Sequence, residues 1–292
     1  MRVLIVGCGY VGRVVGERLV RLGHQVFGLR RTGSAERDLQ AVGIVPVLGD
    51  ITCLEALQKL PGPFDWVVNT VSSTKGGPRE YRAVYVEGTR NLLTVLGPTT
   101  LQKYVYTSST GVYAQIDGSI VDEQSPSEPA SETGRILLET EALLLNAAHT
   151  RHFPAVILRA SGIYGPGRGH LFQQYLRGEA VIAGRLINMI HRDDLAGIIV
   201  TALQSGRPGE LYNASDDEPV SQTDFFTWLA QKLGKPLPPV GADLATSRKR
   251  GLTNKRVSNR KLKNELGYRF QYPTYREGYS AEIARLGLTL SA

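Results

Sequence analysis

Arg2-Val-Leu-Ile-Val-Gly7-Cys-Gly9-Tyr-Val-Gly12 stands at the head of the chain, and its reading decides the fold. Arg2–Val6 is a short apolar run rich in β-branched residues, the composition of a strand buried on both faces. Glycines at 7, 9 and 12 give the spacing G-x-G-x-x-G, and an amphipathic stretch over Val11–Leu22 predicts a helix directly after it. Strand, glycine turn and helix in this order make a place for phosphate. Gly7 permits the tight turn, Gly9 lets the backbone of Tyr10 and Val11 approach a pyrophosphate, and Gly12 lets helix and strand pack closely. The helix N-terminus adds unpaired N–H groups and partial positive charge.

Beyond the turn the same rhythm repeats. Strands are expected at Gln25–Leu29, Val45–Leu48, Trp66–Thr70, Tyr104–Thr107 and Ala155–Arg159, and helices at Thr52–Lys59, Tyr81–Leu96 and Gly134–Ala148. Such alternation predicts an α/β protein with a Rossmann-type doubly wound parallel sheet. After Arg159 the rhythm breaks at Gly165-Pro-Gly167. Helical stretches at His170–Arg177 and Gln222–Leu233 and the Pro-rich connection 235–240 suggest a smaller interleaved C-terminal substrate lobe. The expected division is a nucleotide-binding domain over 1–165, with 186–205 returning to it, and a lobe from 166–185 and 206–292.

Composition narrows the class. Of 292 residues 42% are hydrophobic and 21% charged, which excludes a disordered or fibrous chain. No apolar run reaches the roughly 18 residues of a membrane span, so a soluble, cytoplasmic protein with no membrane partner is expected. Cys8 and Cys53 cannot build a disulfide framework. The net charge of +7 is local: eight basic residues and no acid fall within 247–263, and the rest of the chain carries −1. No nucleic-acid motif accompanies that run, so no nucleic-acid partner is expected.

Around the glycine turn, further residues suit a dinucleotide. The second strand ends in Leu29-Arg30-Arg31 with no acid until Glu36, where a carboxylate for a ribose hydroxyl would mark NAD. Two guanidiniums there suit a 2′-phosphate instead, so NADP is favoured over NAD. Asp50 could accept from an adenine amino group or cap the next helix. Thr70, Val71 and Ser72, at the end of the fourth strand, lie where the cofactor's middle would pass.

Several segments together resemble the extended short-chain dehydrogenase/reductase superfamily, the NAD-dependent epimerases and dehydratases. They are the glycine turn, 81–93, Thr107-Ser-Ser-Thr-Gly-Val-Tyr113, Val121-Asp-Glu123, 158–167 and Ile190-His-Arg-Asp-Asp-Leu-Ala196. The resemblance implies a Ser or Thr after the fifth strand, matched by Ser109, and a Tyr-x-x-x-Lys on the next helix. That pair falls on Thr133 and Leu137. A threonine hydroxyl is far too weak an acid to replace a phenol, and leucine supplies no charge. The departure resembles the atypical branch of the superfamily, and it leaves Ser109, Thr133, Tyr113 and Tyr164 as candidate catalytic hydroxyls.

Arg168, His191 and Arg256 are the candidates for binding a small substrate, anionic or a sugar nucleotide. The five histidines show no metal-ligand spacing, and there is no nucleophile elbow, so neither a metal site nor a hydrolase is expected. Two functional readings follow: an NAD(P)-dependent oxidoreductase or epimerase with non-standard catalytic residues, or a non-catalytic NADP(H)-binding sensor or regulatory protein. Monomer and homodimer both remain open.

Overall fold

Residues 1–74, 76–97, 99–241 and 253–288 are described by the computed structural model. Seven parallel strands form the central sheet: β1 Arg2–Val6, β2 Gln25–Arg30, β3 Val45–Leu48, β4 Trp66–Asn69, β5 Lys103–Ser109, β6 Ala155–Ala160 and β7 Leu211–Ala214. Their spatial order is β7-β6-β5-β4-β1-β2-β3. The chain winds from β1 outward to β3, then returns to lay β4 on the other flank of β1. That reversal opens a crevice at the strands' carboxyl ends, where ligands bind in open α/β sheets.

A parallel sheet must be covered on both faces, and two apolar clusters do this. On one face α1 (Gly12–Arg21) sends Val15 and Leu19 against the sheet. On the other, α2 (Gly88–Leu96) and α3 (Glu132–Arg151) bury Leu92, Leu96, Ile136, Leu137 and Leu144. Full burial of a Leu or Ile side chain is worth roughly 1.5–3 kcal/mol. Ahead of α2, the chain turns through Pro78–Tyr81 and a wider π-type stretch, Arg82–Glu87, so this helical segment starts before the Tyr81 expected from sequence.

A third cluster is rich in aromatic residues. It gathers Phe172 and Tyr175 of α4 (His170–Leu176), Phe225 and Phe226 of α6 (Gln222–Leu233) and Tyr275 and Tyr279 of α8 (Tyr275–Arg285). Between these, α5 (Arg192–Ser205) and α7 (Arg260–Leu266) pack with the α1 side of the main sheet. Beyond residue 206, β7 extends the sheet beside β6, while α6 and α8 join the aromatic cluster. Short pairs tie the two together at the sheet's carboxyl end: Met189–His191 on Gly162–Tyr164, and Arg256–Val257 on Ile120–Val121. Among the described residues, no helix is long and apolar enough to cross a membrane.

Candidate functional site

The glycine turn is shaped by the strands beside it. Gly7 has φ +81°, and a Cβ there would lie 2.8 Å from the backbone of Val71. A Cβ on Gly12 would meet the Gly7 carbonyl at 2.7 Å and the Thr70 hydroxyl at 2.8 Å. At Gly9 the nearest atom would be 3.9 Å away, so the turn is crowded toward the sheet and open on its other side. Thr70 Oγ1 donates to the Gly7 carbonyl at 3.1 Å, and the Gly7 and Cys8 amides both donate to Leu29 O at 3.2 Å. No side chain caps α1 and its first turn holds no acid, so its first N–H groups have no side-chain acceptor from the helix itself. Cys8 is buried beneath the turn, and burial pushes its thiol up to about 12, so it is inert.

Two guanidiniums flank this crevice. Arg30 donates to Cys8 O at 3.3 Å, and the exposed Arg31 reaches Thr74 Oγ1 at 2.6 Å. Among the described residues neither pairs with a carboxylate. Asp50 uses Oδ1 to accept from the Thr52 amide at 2.9 Å and hydroxyl at 2.8 Å. It shapes the local turn, while the short helix that follows starts later, at Leu54. Ser72 is exposed beside Val71.

At the end of β5, Ser109 Oγ accepts from Gly111 N at 3.1 Å and caps the single turn Thr110–Val112. The start of α3 packs on the same turn: Ser131 caps it through Gly134 N at 3.1 Å, and a Cβ on Gly134 would stand 3.4 Å from Gly111 O. Thr133 is buried in that first helical turn, with Oγ1 3.3 Å from Ser131 Oγ. Leu137, one turn on, is buried in the apolar core. Sequence reasoning counted Lys255 only as part of a basic run. The structure buries its amine, which donates to Tyr113 O at 3.2 Å and Thr253 Oγ1 at 2.9 Å. Burial lowers this lysine to about 8. No sequence signal separated it from its exposed neighbours.

The two candidate phenols are committed inside the fold. Tyr113 is fully buried, donates to Asn213 Oδ1 at 2.9 Å and lies under the Arg159 guanidinium, 4.8 Å from its ring centroid. Tyr164 is stacked on Tyr279 at 4.5 Å and donates to Thr274 O at 3.3 Å. Burial raises both phenols above their ordinary range, the wrong direction for proton transfer near neutrality. Buried His191 uses Nδ1 to accept from the Asp193 amide at 3.2 Å, capping α5, and burial lowers its pKa. It thus fixes the junction between the sheet and the aromatic cluster.

The charged candidates separate similarly. Arg256 is exposed and donates to Gly118 O, holding the turn before Ile120. Within the basic run, Lys261 pairs with Glu210 at 2.6 Å and Lys263 with Asp217 at 3.0 Å, while Arg248, Lys249 and Arg250 lie outside the described residues. Arg168 projects from the 165–168 turn over the ring of Tyr10, 5.1 Å from its centroid. Among the described residues, no three His, Cys, Asp or Glu side chains converge to hold a metal ion.

The fold and the turn at its switch point define a doubly wound α/β protein of the dinucleotide-binding type. The chain belongs to the NAD dependent epimerase/dehydratase family, whose model matches residues 3–215. It is similar to Protein YeeZ of Escherichia coli K12, 28% identical over 280 residues covering 93% of this chain and 96% of that one. Among solved structures, a Methylobacillus flagellatus protein described as a NAD-dependent epimerase/dehydratase is 33% identical, with TM-score 0.81 over 98% of both chains. DesIV, a dTDP-glucose 4,6-dehydratase of Streptomyces venezuelae solved with NAD bound, shares the fold at 23% identity, with TM-score 0.83 over 97% of this chain and 96% of that one.

Proposed function

We propose that this protein is an NADP(H)-dependent oxidoreductase or epimerase acting on a small, anionic substrate. The observation that carries the reading is the open side of the glycine turn at the switch point, flanked by Arg30 and Arg31 with no acid in the chain from there to Glu36. Gly9 and the uncapped start of α1 would take the pyrophosphate, Thr70 and Val71 would line the cofactor's middle, and Arg31 would grip the 2′-phosphate. When bound, the nicotinamide supplies or accepts hydride. The chain's own part would lie at the 109–113 turn, where the Ser109 hydroxyl orients a substrate oxygen and Thr133 borders it.

Fluorescence titration with NADPH and NADH tests the reading. NADPH is expected to bind more tightly by about tenfold or more, and Arg31→Ala to abolish the preference, since a bidentate charge-assisted pair is lost. Equal affinities overturn the NADP assignment, and no binding of either overturns the dinucleotide site. The commitment of both candidate phenols inside the fold favours a second reading, a sensor that binds NADP(H) without turning it over. Substrate-dependent loss of nicotinamide absorbance across a panel of anionic carbonyl compounds would exclude it.

A further inference from the structure

We infer that Arg168 is a clamp for the diphosphate of the bound dinucleotide, held above the glycine turn by the ring of Tyr10. The inference rests on the dinucleotide reading of that turn and assigns to the cofactor a residue whose sequence context suggested a substrate contact. Tyr10 stands between Gly9 and Val11, so its backbone belongs to the segment a diphosphate would face. Its side chain leaves that segment toward the 165–168 turn, where the hydroxyl donates to Pro166 O at 3.2 Å.

Two guanidiniums lie against this ring, Arg168 at 5.1 Å and Arg192 at 5.2 Å from its centroid. Arg192 is paired, its Nε donating to Asp193 at 2.8 Å. The other charged groups acting on this ring, Glu282 and Arg285, are paired with each other through two bonds of 2.7 Å. Three cations and two carboxylates therefore surround Tyr10, and the unpaired charge is that of Arg168. Among the described residues it has no acid partner. The side chain is exposed, yet its base is firmly set. Gly165 and Arg168 exchange backbone hydrogen bonds at 3.0 and 2.8 Å, and Gly167 N donates to Glu282 Oε1 at 2.9 Å.

A guanidinium stacked on an aromatic face keeps its N–H edge free, and that planar fork fits phosphate oxygens in a bidentate manner. Arg168 thus adds one unpaired positive charge beside a helix N-terminus that is also positive and uncapped, so an anion placed there would meet both. The diphosphate satisfies both with one ligand. Because the 165–168 turn is tied to α8 through Glu282, the same contact would link the cofactor to the aromatic cluster.

The test is calorimetric binding of two probes, ADP-ribose, which carries a diphosphate, and 2′,5′-ADP, which does not. Arg168→Ala is expected to weaken ADP-ribose by about tenfold or more while leaving 2′,5′-ADP within about twofold, and Arg168→Lys to recover part of the loss. Tyr10→Leu, which removes the platform, should follow Arg168→Ala, and Tyr10→Phe should follow the unaltered protein. Unchanged ADP-ribose affinity in Arg168→Ala overturns the clamp, as does an equal loss for both probes. Failure of the unaltered protein to bind either probe overturns the dinucleotide reading itself, a result distinct from binding that ignores Arg168.

Discussion

Gly9 and Gly12 are the same residue in two different environments. Gly12 has strand and turn atoms within 3 Å of a would-be Cβ, including a backbone carbonyl that cannot move aside, whereas Gly9 has nothing nearer than 3.9 Å. Gly12→Ala is therefore expected to cost roughly 1–3 kcal/mol of stability by overpacking. Gly9→Ala should melt like the unaltered protein yet bind NADPH more weakly, because its methyl points into the space left for the ligand. Parallel thermal melts and titrations check the contrast, and a Gly9→Ala protein with full affinity would contradict the assigned side. Lys255 carries a second prediction. Its folded pKa of about 8 lies below the ordinary 10.5, so between these values the unfolded chain holds a proton that the folded one has released. Stability contributed by this group therefore rises with pH across that window, and below pH 8 the buried charge costs on the order of 3 kcal/mol. Lys255→Met should gain more over the unaltered protein at pH 7 than at pH 10 in urea denaturation. A pH-independent difference would rule this out.

At the scale of elements, α3 is joined to β5 and β6 by charge as well as by leucines. Glu141 accepts from Arg159 through Nε and Nη2, the latter at 2.6 Å, and from Ser108 Oγ at 2.5 Å, and both charged groups are almost fully buried. Removing one partner leaves a buried charge without its counter-ion, so Arg159→Met is expected to destabilise by about 3–5 kcal/mol. The double change Arg159→Met with Glu141→Leu should recover most of that loss, and chemical denaturation of the three variants measures it. A double variant as unstable as the single one would show that packing, and not charge, dominates there. This ion pair was not legible in the sequence, because Glu141 and Arg159 meet only when helix and strand are docked. The strands were more readable. Arg2–Val6 and Val45–Leu48 match their expected bounds, since short apolar runs closed by turn residues identify buried strands locally. Leu211–Ala214 escaped notice because Leu-Tyr-Asn-Ala is short and carries Asn213, whose side chain is satisfied by Tyr113 and Ser258 from distant parts of the chain.

Across the whole molecule, the glycine turn touches two strand ends directly, and through Tyr10 it reaches the 165–168 turn, which Glu282 ties to α8. Ligand that binds only the folded state adds stability by mass action, roughly 2.7 kcal/mol at about 100 times Kd. NADPH is accordingly expected to raise the melting temperature and to slow amide exchange both at α1 and at Tyr275–Arg285. Exchange protection confined to residues 7–21 would show that the cluster does not sense the cofactor.

Local order along the chain was enough to declare the doubly wound sheet and the glycine turn, because strand, turn and helix propensities and the side-chain period act between near neighbours. The resemblance to the superfamily supplied the place of Ser109 and set Thr133 and Leu137 at the positions of the Tyr-x-x-x-Lys pair. What the sequence could not reveal is which hydroxyls and charges are free to meet a ligand. Tyr113 and Tyr164 are spent on Asn213 and Thr274, Lys255 is drawn inward, and Arg168 lies over Tyr10 with no acid partner among the described residues. Those outcomes depend on desolvation and pairing between residues a hundred or more positions apart, and such terms take a value only once the elements have packed.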